Sequence, residues 1–199
     1  MTGAPKAAPN LKFSHMGLSV QDIERMETFY VGVLGFTVTD RGDAGGMKLV
    51  FMSRDPLDHH QVVLASGRPA RMPDNAANPF FGPSINQISF KVGCLDDLRD
   101  IFGRLKEAGL EDFFPANHGV ALSIYAHDPE GNTLEFFVET DWYITQPLLN
   151  PLDLTRTDEE IRAETLKFCQ VSEGFQLYSD WRAAIAPKMT PYIDRAAVG

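Results

Sequence analysis

The chain has 199 residues, 44% hydrophobic and 23% charged, which excludes bulk disorder and allows a core of useful size. A formal net charge of −9 repels phosphate backbones and anionic lipid, so neither nucleic acid nor membrane is an expected partner. Cys94 and Cys169 are too few for a disulfide framework or a cysteine zinc site, and with no apolar leader they point to a cytoplasmic protein.

Residues 1–12 are small, contain proline and read as a flexible lead-in. Residues 13–20, Phe-Ser-His-Met-Gly-Leu-Ser-Val, alternate as a strand does: Met16, Leu18 and Val20 share one face, and His15, Gly17 and Ser19 the other. Asp22 is placed to cap a helix whose apolar stripe includes Ile23, Met26, Phe29, Tyr30 and Val33, and Gly35 to end it in the left-handed conformation. Three strands are predicted at 36–40, 47–53 and 59–65. After a link rich in Pro, Asn and Gly at 67–83, the pattern returns. A strand over 84–92 leads to a helix from Leu95 to about Ala108, closed by Gly109, and to strands near 111–114, 120–126 and 133–139. Asp128-Pro129-Glu130-Gly131-Asn132 is a strong turn signal between the last two.

An offset of 72 residues, the separation of Gln87 from His15, also carries Val20 onto Val92 and Ile23 onto Leu95. One strand–helix–three-strand unit cannot cover its own sheet, whereas two paired units bury their exposed faces and leave a concave one. The predicted class is therefore α+β: two tandem βαβββ modules, 13–66 and 84–140, forming a cup-shaped mixed sheet. A C-terminal extension, 141–199, follows. It opens as a Pro-containing wrap, then Thr157 to Glu160 forms a capping box for a helix reaching about Phe168, with a second short helix around 175–185. This extension covers core, joins a second copy in a homo-oligomer, or closes a lid.

Three polar side chains enter the cup. His15 and its repeat partner Gln87 lie on equivalent faces, and Glu135 sits in the apolar strand Thr133-Leu134-Glu135-Phe136-Phe137, where an unpaired carboxylate is costly. Such a trio either hydrogen-bonds internally or binds a metal. A histidine, a carboxylate and a third donor on one face would leave open positions for substrate and oxygen.

Several motifs resemble the vicinal oxygen chelate superfamily. They are Phe13 to Val20, Phe29-Tyr30 with Leu34-Gly35-Phe36, His59 to Leu64, Tyr125 before Asp128 to Asn132, and Leu134-Glu135. Within the superfamily, residues 13–140 are most similar to the type I extradiol ring-cleaving dioxygenases. The resemblance implies a metal held by His15, Glu135 and the position of Gln87, where the family has histidine. It implies Fe(2+), with Mn(2+) or another divalent ion as alternative, because an amide oxygen is a harder donor than imidazole. Gln61 or His60 stands as a substitute ligand for the Gln87 position. By the same resemblance His60 is an acid–base residue, His118 meets a substrate hydroxyl, and Tyr125 hydrogen-bonds the substrate oxygen. Phe80, Phe81, Phe113, Phe114 and Phe137 are candidate lining for an aromatic pocket, and Glu139 reads as a rim charge.

The implied activity is cleavage of a small aromatic vicinal diol by O2. Two other readings stay open: a glyoxalase- or epimerase-like metal-dependent lyase or isomerase, and a metal-free binding protein of the bleomycin-resistance kind.

Overall fold

Strand β2 (Met16–Val20) runs parallel to β5 (Val62–Ser66) with Met16 opposite Val62, and the 72-residue offset carries that pair onto Ile88 opposite Leu134, where β6 (Ile88–Lys91) runs parallel to β9 (Thr133–Glu139). The same offset relates the first residues of helices α1 (Ile23–Gly32) and α2 (Leu95–Glu107). The computed structural model describes residues 12–70 and 85–189, together with the backbone of two short strands, β1 (Ala8–Pro9) and β13 (Tyr192–Ile193). The linker residues 71–84, with Phe80 and Phe81, and most of the lead-in lie outside the described residues.

Module one orders its sheet β2-β5-β4-β3, with β3 (Thr37–Ala44) and β4 (Met47–Ser53) antiparallel. Module two orders its sheet β11-β7-β8-β9-β6, using β7 (Phe114–Asn117), β8 (Ala121–His127) and β11 (Asn150–Pro151). Asp22 caps α1, its carboxylate accepting from the Arg25 amide at 3.0 Å, and Gly35 takes a φ of 73° just beyond the helix. Several strand starts fall later than the sequence expectation, among them β5 at Val62 rather than 59 and β7 at Phe114 rather than about 111. β2 begins at Met16 rather than Phe13, because its partner β5 begins only at Val62; residues 54–61 form a loop, which leaves His15, His59 and His60 outside the strands. β6 begins at Ile88 for the same reason, its pairing with β9 starting there, so Gln87 also stands just before its strand.

The modules are joined by a shared core and a polar clamp. Leu18, Val20, Met26, Leu64, Leu98, Leu105, Ile124 and Leu134 are all buried in one cluster. Each such side chain contributes roughly 1.5–3 kcal/mol on burial. Phe36 of module one meets Phe90 of module two edge-on, 5.8 Å between ring centroids. Glu130, in the β8–β9 turn, accepts from the Gln21 and Asp22 amides at 2.6 and 2.9 Å and pairs with Arg68 at 3.1 Å. Beside it the Tyr30 hydroxyl donates to Asp128, 3.3 Å away; burial pushes the Asp128 carboxyl up, against bonds from Asn132 that pull it down.

The C-terminal extension belongs to module two. β11 extends that sheet along β7, and β10 (Trp142–Tyr143) pairs with β12 (Gln176–Leu177). Helix α3 (Asp158–Cys169) opens on the predicted Thr157–Glu160 capping box, and buried Asn117 donates to buried Thr165 at 2.7 Å. Helix α4 (Tyr178–Ile185) stacks Trp181 on Tyr143, 4.8 Å between centroids. Among the described residues no helix is long and apolar enough to cross a membrane.

Candidate functional site

Ser89, Glu135, Tyr125 and Phe114 form one transverse row across β6, β9, β8 and β7, each opposite the next in register. Strand alternation produces this row. Ile88, Phe90, Ile124, Leu134 and Phe136 turn toward the helices and core, so Ser89, Ser123, Tyr125 and Glu135 must share the opposite, concave face. Glu135 is buried, 8% exposed, and four side chains donate to it. Ser123 and Tyr125 reach Oε1, both at 2.8 Å; Gln87 Nε2 and Ser89 reach Oε2 at 2.7 and 2.6 Å. The desolvation cost of a carboxylate in an apolar strand is offset by these bonds.

From Glu135 a chain of hydrogen bonds runs outward. Tyr125 Oη lies 3.0 Å from His118 Nε2, and His118 Nδ1 donates to the Leu148 carbonyl at 2.6 Å. A carbonyl only accepts, so the Nδ1 hydrogen is fixed. The three links from Leu148 to Glu135 need three hydrogens, and Tyr125 supplies one. The chain is complete when His118 and Glu135 together carry one proton beyond neutral imidazole and carboxylate. Burial first, then the Glu135 hydrogen bond and charge, push the Tyr125 phenol well up.

The other predicted residues gather elsewhere. His15 is exposed, contacts Ser14 and lies 4.3 Å from the His60 ring centroid. His60 in turn meets His59, Nδ1 to Nδ1 at 2.9 Å, and the edge of Phe51. Partial burial, then the neighbouring His15 and His59 charges, lower the His60 pKa against the pull of Asp58. Among the described residues no hydrogen bond or ion pair joins His15 or His60 to Gln87, Glu135, Tyr125 or His118. The predicted set is thus divided: Gln87, Glu135, Tyr125 and His118 in module two, His15 and His60 in module one. Gln61 is tied down in its loop by the Arg54 amide and Asp58.

Phe113 packs on Phe102, whereas Phe114, 51% exposed, stacks on Tyr125 at 5.3 Å. Phe137 follows Glu135 on the same face and is half-buried. Glu139 pairs with Lys91 and with Arg182 of α4, as a rim charge would. A cleft of about 930 Å³ between the modules touches this site only at Gln87 and Ser89. Sequence reasoning missed Ser89, Ser123 and the Leu148 carbonyl. The two serines share strand parity with Gln87 and Tyr125, a signal available from alternation; Leu148 has none.

The family's metal is a test the arrangement does not pass. A carboxylate has about four lone-pair positions, and all those of Glu135 are filled by protein donors. Gln87 turns its amide nitrogen, not its oxygen, to Glu135, and His15 is bonded to neither. Nor do three His, Cys, Asp or Glu side chains converge to hold an ion anywhere among the described residues.

Paired βαβββ modules with a polar row on the concave face define a two-module α+β fold of the vicinal oxygen chelate type. The chain belongs to the Glyoxalase/Bleomycin resistance protein/Dioxygenase superfamily, whose model matches residues 12–136. It is 31% identical over 139 residues to biphenyl-2,3-diol 1,2-dioxygenase 2 of Rhodococcus globerulus, a match covering 70% of this chain and 65% of that protein. To biphenyl-2,3-diol 1,2-dioxygenase 3 of the same organism it is 29% identical over 132 residues, 64% of this chain and 63% of that one. The chain therefore spans less than two thirds of these relatives' length. Among solved structures, a glyoxylase/bleomycin resistance protein/dioxygenase domain from Frankia sp. EAN1pec aligns with a TM-score of 0.56 at 20% identity, covering 66% of this chain and 99% of that one. That likeness shows the fold.

Proposed function

We propose that the chain is an enzyme acting on a small aromatic hydroxy compound, bound against the Ser89–Glu135–Tyr125–Phe114 row. The observation that carries this is the unbroken chain from Glu135 through Tyr125 to His118. A phenolic substrate lays its ring on the exposed face of Phe114 and its hydroxyl on Tyr125. With the chain's extra proton on His118, Tyr125 takes the substrate proton as it passes its own to Glu135 Oε1. The O–H bond of the substrate breaks, a carboxylic acid forms, and the charged His118 ring stabilises the phenolate through Tyr125. Ser123 holds Glu135 in place throughout.

A second reading is O2-dependent cleavage of an aromatic vicinal diol with Fe(2+). Its support is the relatives' names, both biphenyl-diol dioxygenases. It requires an iron site that the Glu135 hydrogen bonds, as arranged, do not leave open.

One experiment separates them. The protein is mixed with 4-nitrocatechol under chelator, and the phenolate absorbance is followed; an oxygen electrode then monitors a panel of mono- and bicyclic catechols with Fe(2+) added anaerobically beforehand. A phenolate signal in chelator that is absent in Tyr125→Phe and Glu135→Gln supports the acid–base reading. Oxygen uptake with a yellow ring-opened product, strictly dependent on iron, selects the dioxygenase instead. Neither signal refutes both.

A further inference from the structure

We infer that Gln87 closes the superfamily's metal position in this chain, so that Glu135 serves as a hydrogen-bonded carboxylate and not as a metal ligand. The inference rests on hydrogen-bond geometry; it agrees with the acid–base reading and stands against the iron-dependent one.

The orientation of Gln87 decides it. Its Nε2 donates to Glu135 Oε2 at 2.7 Å and to Ser89 Oγ at 3.0 Å, and Ser89 Oγ donates to the same Oε2 at 2.6 Å. Gln87, Ser89 and Glu135 thus form a closed triangle in which each amide hydrogen has an acceptor. A flip of the amide would set two oxygens against each other at that distance with no hydrogen between them, and the only metal-binding atom of glutamine is the one turned away. Histidine here, as in the family, presents a single ring nitrogen and cannot close the same triangle with two hydrogens on one atom.

The other side of Glu135 is equally occupied. Ser123 and Tyr125 hold Oε1, and Tyr125 is itself locked to His118. A cation binding here would displace a donor from a buried carboxylate, and the displaced hydroxyl or amide would be left unpaired in the same site. The third family ligand gives no compensation, since His15 is drawn to Ser14 and His60 in module one.

The test uses the full chain and no substrate. Wild type, stripped with chelator, is titrated with Co(2+) and Mn(2+) by calorimetry, with thermal midpoints measured at about tenfold excess of metal. The expected result is no stoichiometric uptake and an unchanged midpoint. Gln87→His should take up about one equivalent of Co(2+), with a visible absorption band and a raised midpoint, and adding Glu135→Ala should abolish both. Gln87→Ala, which also breaks the triangle, should show weaker but measurable uptake, and circular dichroism confirms that each variant is folded. One equivalent bound by wild type and lost on Glu135→Ala would overturn the inference. Folded Gln87→His and Gln87→Ala that both remain without metal would overturn the assignment to Gln87.

Discussion

Tyr125 and Glu135 stand directly opposite across the β8–β9 ladder, and the phenol donates to the carboxylate at 2.8 Å while its oxygen also meets His118 at 3.0 Å. That side chain bridges a buried acid and a half-buried imidazole that also approach each other directly at 3.9 Å, within ion-pair reach. Removing the phenol hydroxyl breaks the bridge and leaves only that longer contact.

Tyr125→Phe should accordingly lower turnover on a working substrate by something like the ~10²–10⁴-fold typical of general acid–base groups. His118→Ala should do much the same, and the double variant should fall little further, because both changes cut one chain. Fully additive losses in such a double-mutant cycle would show that the two residues act separately.

Glu130 connects the modules rather than the site. Its side chain and that of Arg68 are 6% and 9% exposed, and it also accepts two backbone amides at the start of α1. Glu130→Gln should cost about 3–5 kcal/mol of unfolding free energy, the range for breaking a buried pair. Urea denaturation reads it, and a loss under 1 kcal/mol would sink the clamp as a stabilising feature.

Gly119, beside His118, has a φ of 77°, and a Cβ there would lie 2.5 Å from Ile144 Cδ1 and 3.1 Å from Cys169 Sγ. Gly119→Ala combines left-handed strain with overpacking and should destabilise by about 2–4 kcal/mol. Because the same turn aims His118 at Tyr125, turnover should fall as well. A stable, fully active variant would show that Ile144 and Cys169 can withdraw at little cost.

Helix α4 should loosen in acid. A bond from Lys91 first, and from Arg182 next, holds the Glu139 carboxyl below its ordinary 4.5, with partial burial opposing. A lowered carboxylate pKa lends stability that is complete above pH 4.5 and is lost as pH falls through the lower folded value. Fluorescence of Trp181, stacked on Tyr143, should shift toward that of exposed tryptophan below that range, and Arg182→Ala should produce part of the shift at neutral pH. Tryptic cleavage after Lys188 that is indifferent to Arg182→Ala would count against the ion pair as the anchor.

What depends on local pattern was legible in the sequence alone. The 72-residue repeat, the Asp22 and Thr157 caps, the full extent of β9 and the shared face of Gln87 and Glu135 all follow from alternation, helical spacing and turn chemistry, which act over a few residues. Tertiary structure decided the rest. Strand starts at Met16 and Ile88 depend on where distant partners begin, and the Leu148 carbonyl reaches His118 across 30 residues by the path of the C-terminal wrap. Sequence pointed to His15, Gln87 and Glu135 as a metal set, with internal hydrogen bonding as the other outcome. Only tertiary structure decided which donors meet the Glu135 carboxylate, the Gln87 amide at 2.7 Å with Ser89 and Ser123, because strand partners distant in sequence bring them together.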